Sequence, residues 1–169
     1  NGSIDWAHSG REDPEFARWI SSNASGGGIR RFGRITYEMM ASFWPTPAAA
    51  AQMPEVARGM NQARKLVASR SLEPSWSGSE RIEGDLIEAV RALKKREGRG
   101  ITVLGSGSVA AQLGEAGLVD EYQLVVLPLA LGGGRTVFST GTALRLVEQR
   151  SFPCGNVVLT YATAPVVSA

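Results

Sequence analysis

ITVLGSGSVAAQLGEAGLVDEYQLVVLPLALGGGRTVF, residues 101–138, is the stretch whose reading decides the fold. It opens on Ile101, Thr102, Val103 and Leu104. This apolar, β-branched run is too short for a helix and reads as a buried parallel strand. Gly105, Ser106, Gly107 and Ser108 make a tight turn. Residues 109–116 carry a short helical pattern anchored by Leu113, and Gly117 stands where a helix stops on a residue of positive φ. A second apolar run, residues 122–131, follows. Strand, glycine turn, helix and strand form one βαβ unit. Glycines let backbone N–H groups approach a ligand, and a helix N-terminus behind them favours negative charge, so a phosphate or pyrophosphate suits this turn. The pattern is not G-x-G-x-x-G, and Gly-Ser turns also join strands to helices without any ligand. On the turn alone both readings stand.

Upstream, Asp13, Pro14 and Glu15 are a helix start: an N-cap, a proline at N1 and an acidic first turn. Phe16, Trp19 and Ile20 give that helix its apolar stripe, and it ends in a loop over residues 23–28. A strand over 29–33 follows, with the unusual pair Arg30 and Arg31 in its middle. Residues 33–38, GRITYE, turn from that strand into a helix reaching about Ser42. Residues 44–52 read as a loop whose alanines are able to form a helical turn, and Pro54 starts a short helix to Asn61. Residues 65–69 are a strand ending in Ser69, Arg70 and Ser71, and residues 81–83 a short one. Asp85 caps an amphipathic helix with Leu86, Ile87, Val90 and Leu93 inward, closed by Gly98 and Gly100. Residues 143–152 and 157–162 flank Pro153, Cys154, Gly155 and Asn156 as an antiparallel hairpin. The order predicts an α/β fold: one mostly parallel sheet with strands near 29–33, 65–69, 101–104 and 121–129, flanked by helices, and the hairpin at its edge.

The 169 residues suit one domain over residues 1–169. Hydrophobic content of 43% and charged content of 20% are those of an ordinary globular protein. A net charge of +2, with scattered basic residues, gives no footprint for nucleic acid or membrane as partner. The single cysteine, Cys154, excludes an internal disulfide and a cysteine-built zinc site, and fits a reducing cytoplasm. The single histidine, His8, argues against a histidine-rich metal site and a Ser-His-Asp triad, so no metal is expected. No apolar run reaches the ~18 residues of a membrane-crossing helix. The chain starts at Asn1 without Met, and its N-terminus reads as incomplete or processed.

Four motifs in this order, GRITYE at 33–38, LVASRS at 66–71, LGSGS at 104–108 and GLVDE at 117–121 running into PLALG at 128–132, carry a resemblance. Over nearly its whole length the chain resembles the dihydrofolate-reductase-like superfamily. Within it, the chain is similar to stand-alone dihydrofolate reductase family proteins and to the reductase domain of the riboflavin-biosynthesis deaminase-reductase. The resemblance implies an NADPH-dependent reductase. In an open α/β sheet, ligands bind outside the carboxyl ends of the strands, where these motifs fall. By resemblance, Ser69, Arg70 and Ser71 meet the adenosine 2′-phosphate. Arg34 and Thr36 lie near the phosphates, and Gly105, Ser106, Gly107, Ser108 and Val109 cradle the pyrophosphate. Surface charge and turn formation account for the same residues without a ligand.

The chain also departs from the family. The family's first strand, central in its sheet, is missing before Asn1, and an Asn-Gly pair stands where relatives often carry Asp-Gly. Leu104 occupies the place of a substrate-binding Glu in the 5-amino-6-(5-phosphoribosylamino)uracil reductase of riboflavin biosynthesis, and that enzyme's Asp-Asp-Pro is absent. The substrate expected is therefore a flat heterocycle of pterin or aminopyrimidine type other than the riboflavin intermediate. Dihydrofolate reductases hydrogen-bond the pterin through a carboxylate on their first helix. Glu15 aligns with it and Asp5 is its rival as catalytic residue, while the helix dipole alone also explains Glu15. The alternatives are a non-catalytic nucleotide- or pterin-binding protein, and a structural role with no nucleotide. The small chain and its apolar sheet surface, with the missing strand, predict a homodimer.

Overall fold

In the computed structural model, residues 10, 12–25, 28–96, 100–134, 136–138 and 140–164 are described here. The chain divides into two compact units: Ser21–Leu118, and Asn1–Ile20 with Val119–Ala169. The division falls inside the first helix, α1 (Pro14–Ser25).

In the unit Ser21–Leu118 the elements are β1 (Ile29–Gly33), α2 (Arg34–Phe43), α3 (Pro47–Gln52), α4 (Pro54–Gln62), β2 (Arg64–Ala68), β3 (Ser79–Arg81), α5 (Leu86–Arg96), β4 (Ile101–Val103) and α6 (Gly107–Glu115). The four strands make one parallel sheet in the order β3-β2-β1-β4. Helix boundaries follow local chemistry. Asp85 Oδ1 accepts from the N–H groups of Ile87 at 2.9 Å and Glu88 at 3.0 Å, which caps α5. At the end of α6, Gly117 takes φ +63°, its N–H donates to Gly114 O, and the Leu118 N–H donates to Leu113 O. That is the paired hydrogen bonding of a Schellman stop.

Three expectations need correction here. Residues 47–52 are a helix, because Thr46 Oγ1 accepts from the Ala49 N–H at 3.2 Å and Pro47 opens a run of alanines, the best helix formers. The short strand lies at Ser79–Arg81, two residues early, where Lys65 pairs with Ser79. Residues 101–103 lie at the edge of the sheet, hydrogen-bonded to β1 alone among the described strands, and are half-buried. An apolar run reports that the two faces of a strand are covered; it says nothing of whether both hydrogen-bonding flanks are paired.

The core of this unit is aromatic. Phe32, Tyr37 and Trp76 pack with ring centroids 6.2–6.3 Å apart. The Tyr37 hydroxyl accepts from the Trp76 N–H at 2.8 Å, and Trp76 Nε1 donates to Asn61 Oδ1 at 2.7 Å. Lys65 is fully buried beside them. Its Nζ donates to the carbonyls of Asn61, Ala63 and Ser77 at 3.1, 2.7 and 2.9 Å and lies 4.4 Å from the Trp76 ring centre. Burial pushes Lys65 down to about 8, and the carbonyls and ring face hold the ammonium at neutral pH.

The other unit carries β5 (Glu121–Val126), β6 (Leu144–Ser151) and β7 (Val157–Thr163), an antiparallel sheet in the order β5-β7-β6. The C-terminal hairpin forms where it was read, but it belongs to this separate sheet and is not the edge of the parallel one. The run 122–131, expected as a parallel strand, instead pairs antiparallel with β7 from Glu121↔Ala162 to Val126↔Val157. It ends there, short of Pro128, which has no N–H for a ladder. The βαβ unit is thus not closed as a parallel crossover. Phe16, Phe152 and Val158 form the core, with Trp19 and Ile20 against them. Asp13 ties this core to the chain's start. Its Oδ1 accepts from the Glu15 and Phe16 N–H groups, and its Oδ2 from the Cys154 N–H at 2.8 Å. Desolvation raises the Asp13 pKa, but these backbone donors outweigh it and hold the carboxyl below its ordinary value.

Replacing Lys65 by Met keeps the volume and removes all three donated bonds. Each hydrogen bond from the ammonium is worth about 1.5–3 kcal/mol, part of it recovered because half-buried Asn61 and Ala63 and exposed Ser77 let water reach their carbonyls, so Lys65→Met should lower unfolding free energy by about 2–4 kcal/mol. Urea unfolding measures this, and a loss below about 1 kcal/mol would contradict the caged-ammonium account.

Candidate functional site

β1, β2 and β4 are parallel neighbours, so their carboxyl ends lie side by side. Gly33 is the register partner of Ala68, and Arg31 that of Val103. The turns after β1 and β2 therefore start level with each other, and the turn after β4 starts two residues earlier and runs alongside the end of β1. Two of them are joined directly. The Leu104 N–H donates to Arg31 O and the Gly33 N–H to Gly105 O, each at 3.1 Å. A Cβ on Gly33 would fall 2.5 Å from Ser106 Oγ, so only glycine allows this approach without a shift. Gly105 has φ +114°, and a Cβ there would lie 3.3 Å from Thr36 Oγ1. The motifs at 33–38 and 104–108, far apart in sequence, are in contact.

Two helices start at this junction. α2 begins at Arg34 behind Gly33, and α6 at Gly107 behind Ser106; neither N-cap residue makes a side-chain capping bond. Their first amides carry the partial positive charge of helix N-termini. Hydroxyls stand beside them: Ser106 and Ser108 Oγ atoms are 2.7 Å apart, and Gly107 is exposed with open space where a Cβ would stand. Such a cradle suits an anion.

The other expected residues divide. Arg34 is exposed and its Nε donates to Glu38 Oε1 at 3.0 Å, an i,i+4 pair on the first turns of α2. Ser69 follows β2, and its Oγ accepts from the Ser71 and Leu72 N–H groups at 3.4 and 3.1 Å, which shapes the loop. Arg70 and Ser71 are exposed, and the Arg70 guanidinium makes no ion pair among the described residues. Val109 is a core residue, 4% exposed, and its N–H donates to Ser106 O, so it offers nothing to a ligand. Glu15 is exposed on the first turn of α1, in the unit that holds the antiparallel sheet. Asp5, like His8, lies outside the described residues. Two features escaped the reading of the sequence. The pairing of Arg34 with Glu38 was visible in the i,i+4 spacing. The burial of Arg31 was flagged only by a charge in a strand of apolar neighbours.

A family model described as the RibD C-terminal domain matches residues 31–160. The chain belongs to the RibD C-terminal domain family, which is a family of reductases. It is 26% identical over 164 residues to the uncharacterized protein YyaP of Bacillus subtilis (strain 168), covering 95% of this chain and 85% of that one. Among solved structures it is similar to a putative riboflavin biosynthesis protein from Shewanella sp. PV-4, with TM-score 0.67 and 19% identity over 96% of this chain and 89% of the other. It is also similar to RibD of Acinetobacter baumannii, with TM-score 0.61 and 14% identity over 89% of this chain and 51% of RibD. A pyrimidine reductase-like protein of Corynebacterium diphtheriae gives TM-score 0.51 and 16% identity over 90% and 82% of the two chains. These likenesses establish that RibD C-terminal chains and this one share a fold.

Gly33 has φ −76° and ψ 162°, a conformation open to alanine, so Gly33→Ala tests the approach of the two turns alone. The added methyl must turn Ser106 Oγ away from Ser108 and still press on Ser106 Cβ at 3.2 Å. A loss of about 1–2 kcal/mol is expected, with most of it recovered in Gly33→Ala/Ser106→Gly. Additive losses in the double variant would show that the two residues do not meet.

Proposed function

We propose that this RibD C-terminal family protein is an NADPH-dependent reductase of a flat heterocyclic substrate of pterin or aminopyrimidine type. The observation that carries the reading is the junction of two uncapped helix N-termini at adjacent parallel strand ends. The residues fit the cofactor there. The 105–108 turn, with its amides and serine hydroxyls, would hold the pyrophosphate. Arg34 and Thr36 border the same turn. Ser69, Arg70 and Ser71 would meet the 2′-phosphate, for which a guanidinium and hydroxyls are suited donors. The bound nicotinamide supplies the hydride, and what the chain must do is orient the rings and deliver a proton to the reduced nitrogen. For the catalytic carboxylate we propose Glu15, with Asp5 as its rival.

NADPH oxidation assays over a panel of pterins and aminopyrimidines test the reading. Turnover of one panel member is expected. Tight NADPH binding without turnover would favour the non-catalytic binding protein, and no binding at millimolar NADPH would remove both.

We also propose a homodimer. Val125 and Val126 on β5, and Leu146 and Val147 on β6, the two outer strands of the antiparallel sheet, are 38–52% exposed, and uncovered apolar side chains favour a self-complementary contact. Light scattering at tens of micromolar should give twice the chain mass; a monomer mass would contradict it.

Arg70 separates the two nicotinamide cofactors. Each charge-assisted hydrogen bond to the 2′-phosphate is worth roughly 1.5–3 kcal/mol, so Arg70→Ala should weaken NADPH about ten- to a hundredfold. NADH carries a hydroxyl there and should be nearly unaffected. The difference should shrink at high salt, since Arg70 is exposed. Equal weakening of both cofactors would make Arg70 structural, and no change in either would place the adenosine end elsewhere.

A further inference from the structure

Arg31 is a buried charge without a counter-charge. Its exposure is 0%, and Nε, Nη1 and Nη2 all lack a hydrogen-bond partner among the described residues. Buried guanidinium groups are almost always paired. Its neighbour Arg30 shows the usual solution: on the opposite face of β1, its Nη2 donates to the carbonyls of Asn23 and Ala24 at 3.2 and 2.6 Å, in the last turn of α1. The register partners of Arg31 are Leu66 and Val103, which offer only apolar side chains. Burial pushes Arg31 down to about 10, which still leaves it charged at neutral pH.

The strand's alternation says where this charge stands. Arg31 and Gly33 share a face of β1, one pleat apart, a separation of about 6.6 Å. At Gly33 that face meets Ser106, since a Cβ built there falls 2.5 Å from Ser106 Oγ. Ser106 opens the nine-residue helix α6, whose first turn has no side-chain cap. The Arg31 position and the Gly33 position that meets the uncapped helix end therefore share one face of β1. The distance is within the length of an arginine side chain, whose apolar stem is able to carry its head along such a surface.

We propose that Arg31 is the counter-charge of an anion bound at the α6 N-terminus: a phosphate or pyrophosphate group docking at the 106–108 turn draws the Arg31 guanidinium onto it. The inference rests on the reading that this turn holds the cofactor's pyrophosphate, and it adds the buried residue that completes the site. It gives Arg31 two opposite effects. Without an anion the unpaired charge lowers stability, as uncompensated buried charges do. With an anion it contributes to affinity, and binding raises the unfolding temperature by mass action.

The test is thermal unfolding of the whole chain in inorganic pyrophosphate, for wild type, Arg31→Met and Arg31→Lys, with NADPH binding measured in parallel. In anion-free buffer Arg31→Met should unfold at a higher temperature than wild type. Its apparent affinity for pyrophosphate should be at least tenfold weaker, with Arg31→Lys between the two. An Arg31→Met protein that unfolds at a lower temperature, or does not fold, overturns the proposal, because Arg31 then has a structural partner. Wild-type pyrophosphate affinity in Arg31→Met, or a wild type that binds NADPH without responding to pyrophosphate, overturns it and leaves the cofactor reading standing. A wild type that binds neither removes both.

Discussion

One hydrogen bond, from the Gly33 N–H to Gly105 O, sets what the strand ends of the parallel sheet are able to do. It locks the turn after β1 to the turn after β4. Because both strands are parallel, both turns lead into helices, and locking them brings two helix N-termini together. The approach is allowed only because position 33 has no Cβ, and position 105 needs a positive φ that glycine alone adopts at little cost. The groups proposed to hold the cofactor's phosphates stand at this junction or in the loop after β2, the next strand over.

The same sheet buries three cations, Arg30, Arg31 and Lys65. Lys65 Nζ and Arg30 Nη2 donate to backbone carbonyls, which need no acidic partner, while Arg30 Nε has no partner among the described residues. The Lys65 cage also holds the 61–78 connection: Ser77 O and the Trp76 ring are held by Lys65 Nζ, and the Trp76 N–H by Tyr37 of α2. That connection carries Ser69, Arg70 and Ser71. Aromatic packing, the caged ammonium and the candidate 2′-phosphate loop are thus one cooperative piece of structure, and the third cation is the exception.

Where local chemistry decides an element, the sequence was legible. Asp13-Pro14, Asp85 and Gly117 mark helix ends by capping bonds that the structure makes. The strands 29–33 and 65–68 were legible from their length and branching despite the charges within them. What the sequence could not carry is pairing. Nothing in residues 101–103 distinguishes a strand with two neighbours from one with a single neighbour, and nothing in residues 121–126 shows that β7 would be its partner. The motifs at 33–38, 69–71 and 104–108 were legible as strand ends, while the contact between the first and the third follows from the pairing that the structure shows. The fate of single side chains was not: Val109 turned inward, and Arg34 is engaged by Glu38.

The central claim is that the two uncapped helix starts bind the phosphates of NADPH. Amide NMR during an NADPH titration addresses it directly, because backbone N–H groups are the proposed donors. The account predicts that the largest shifts fall at residues 34–36 and 106–108, and that NADH reproduces these while leaving residues 69–71 less affected. Shifts concentrated on the antiparallel sheet, with the amides of 106–108 unmoved, would contradict it.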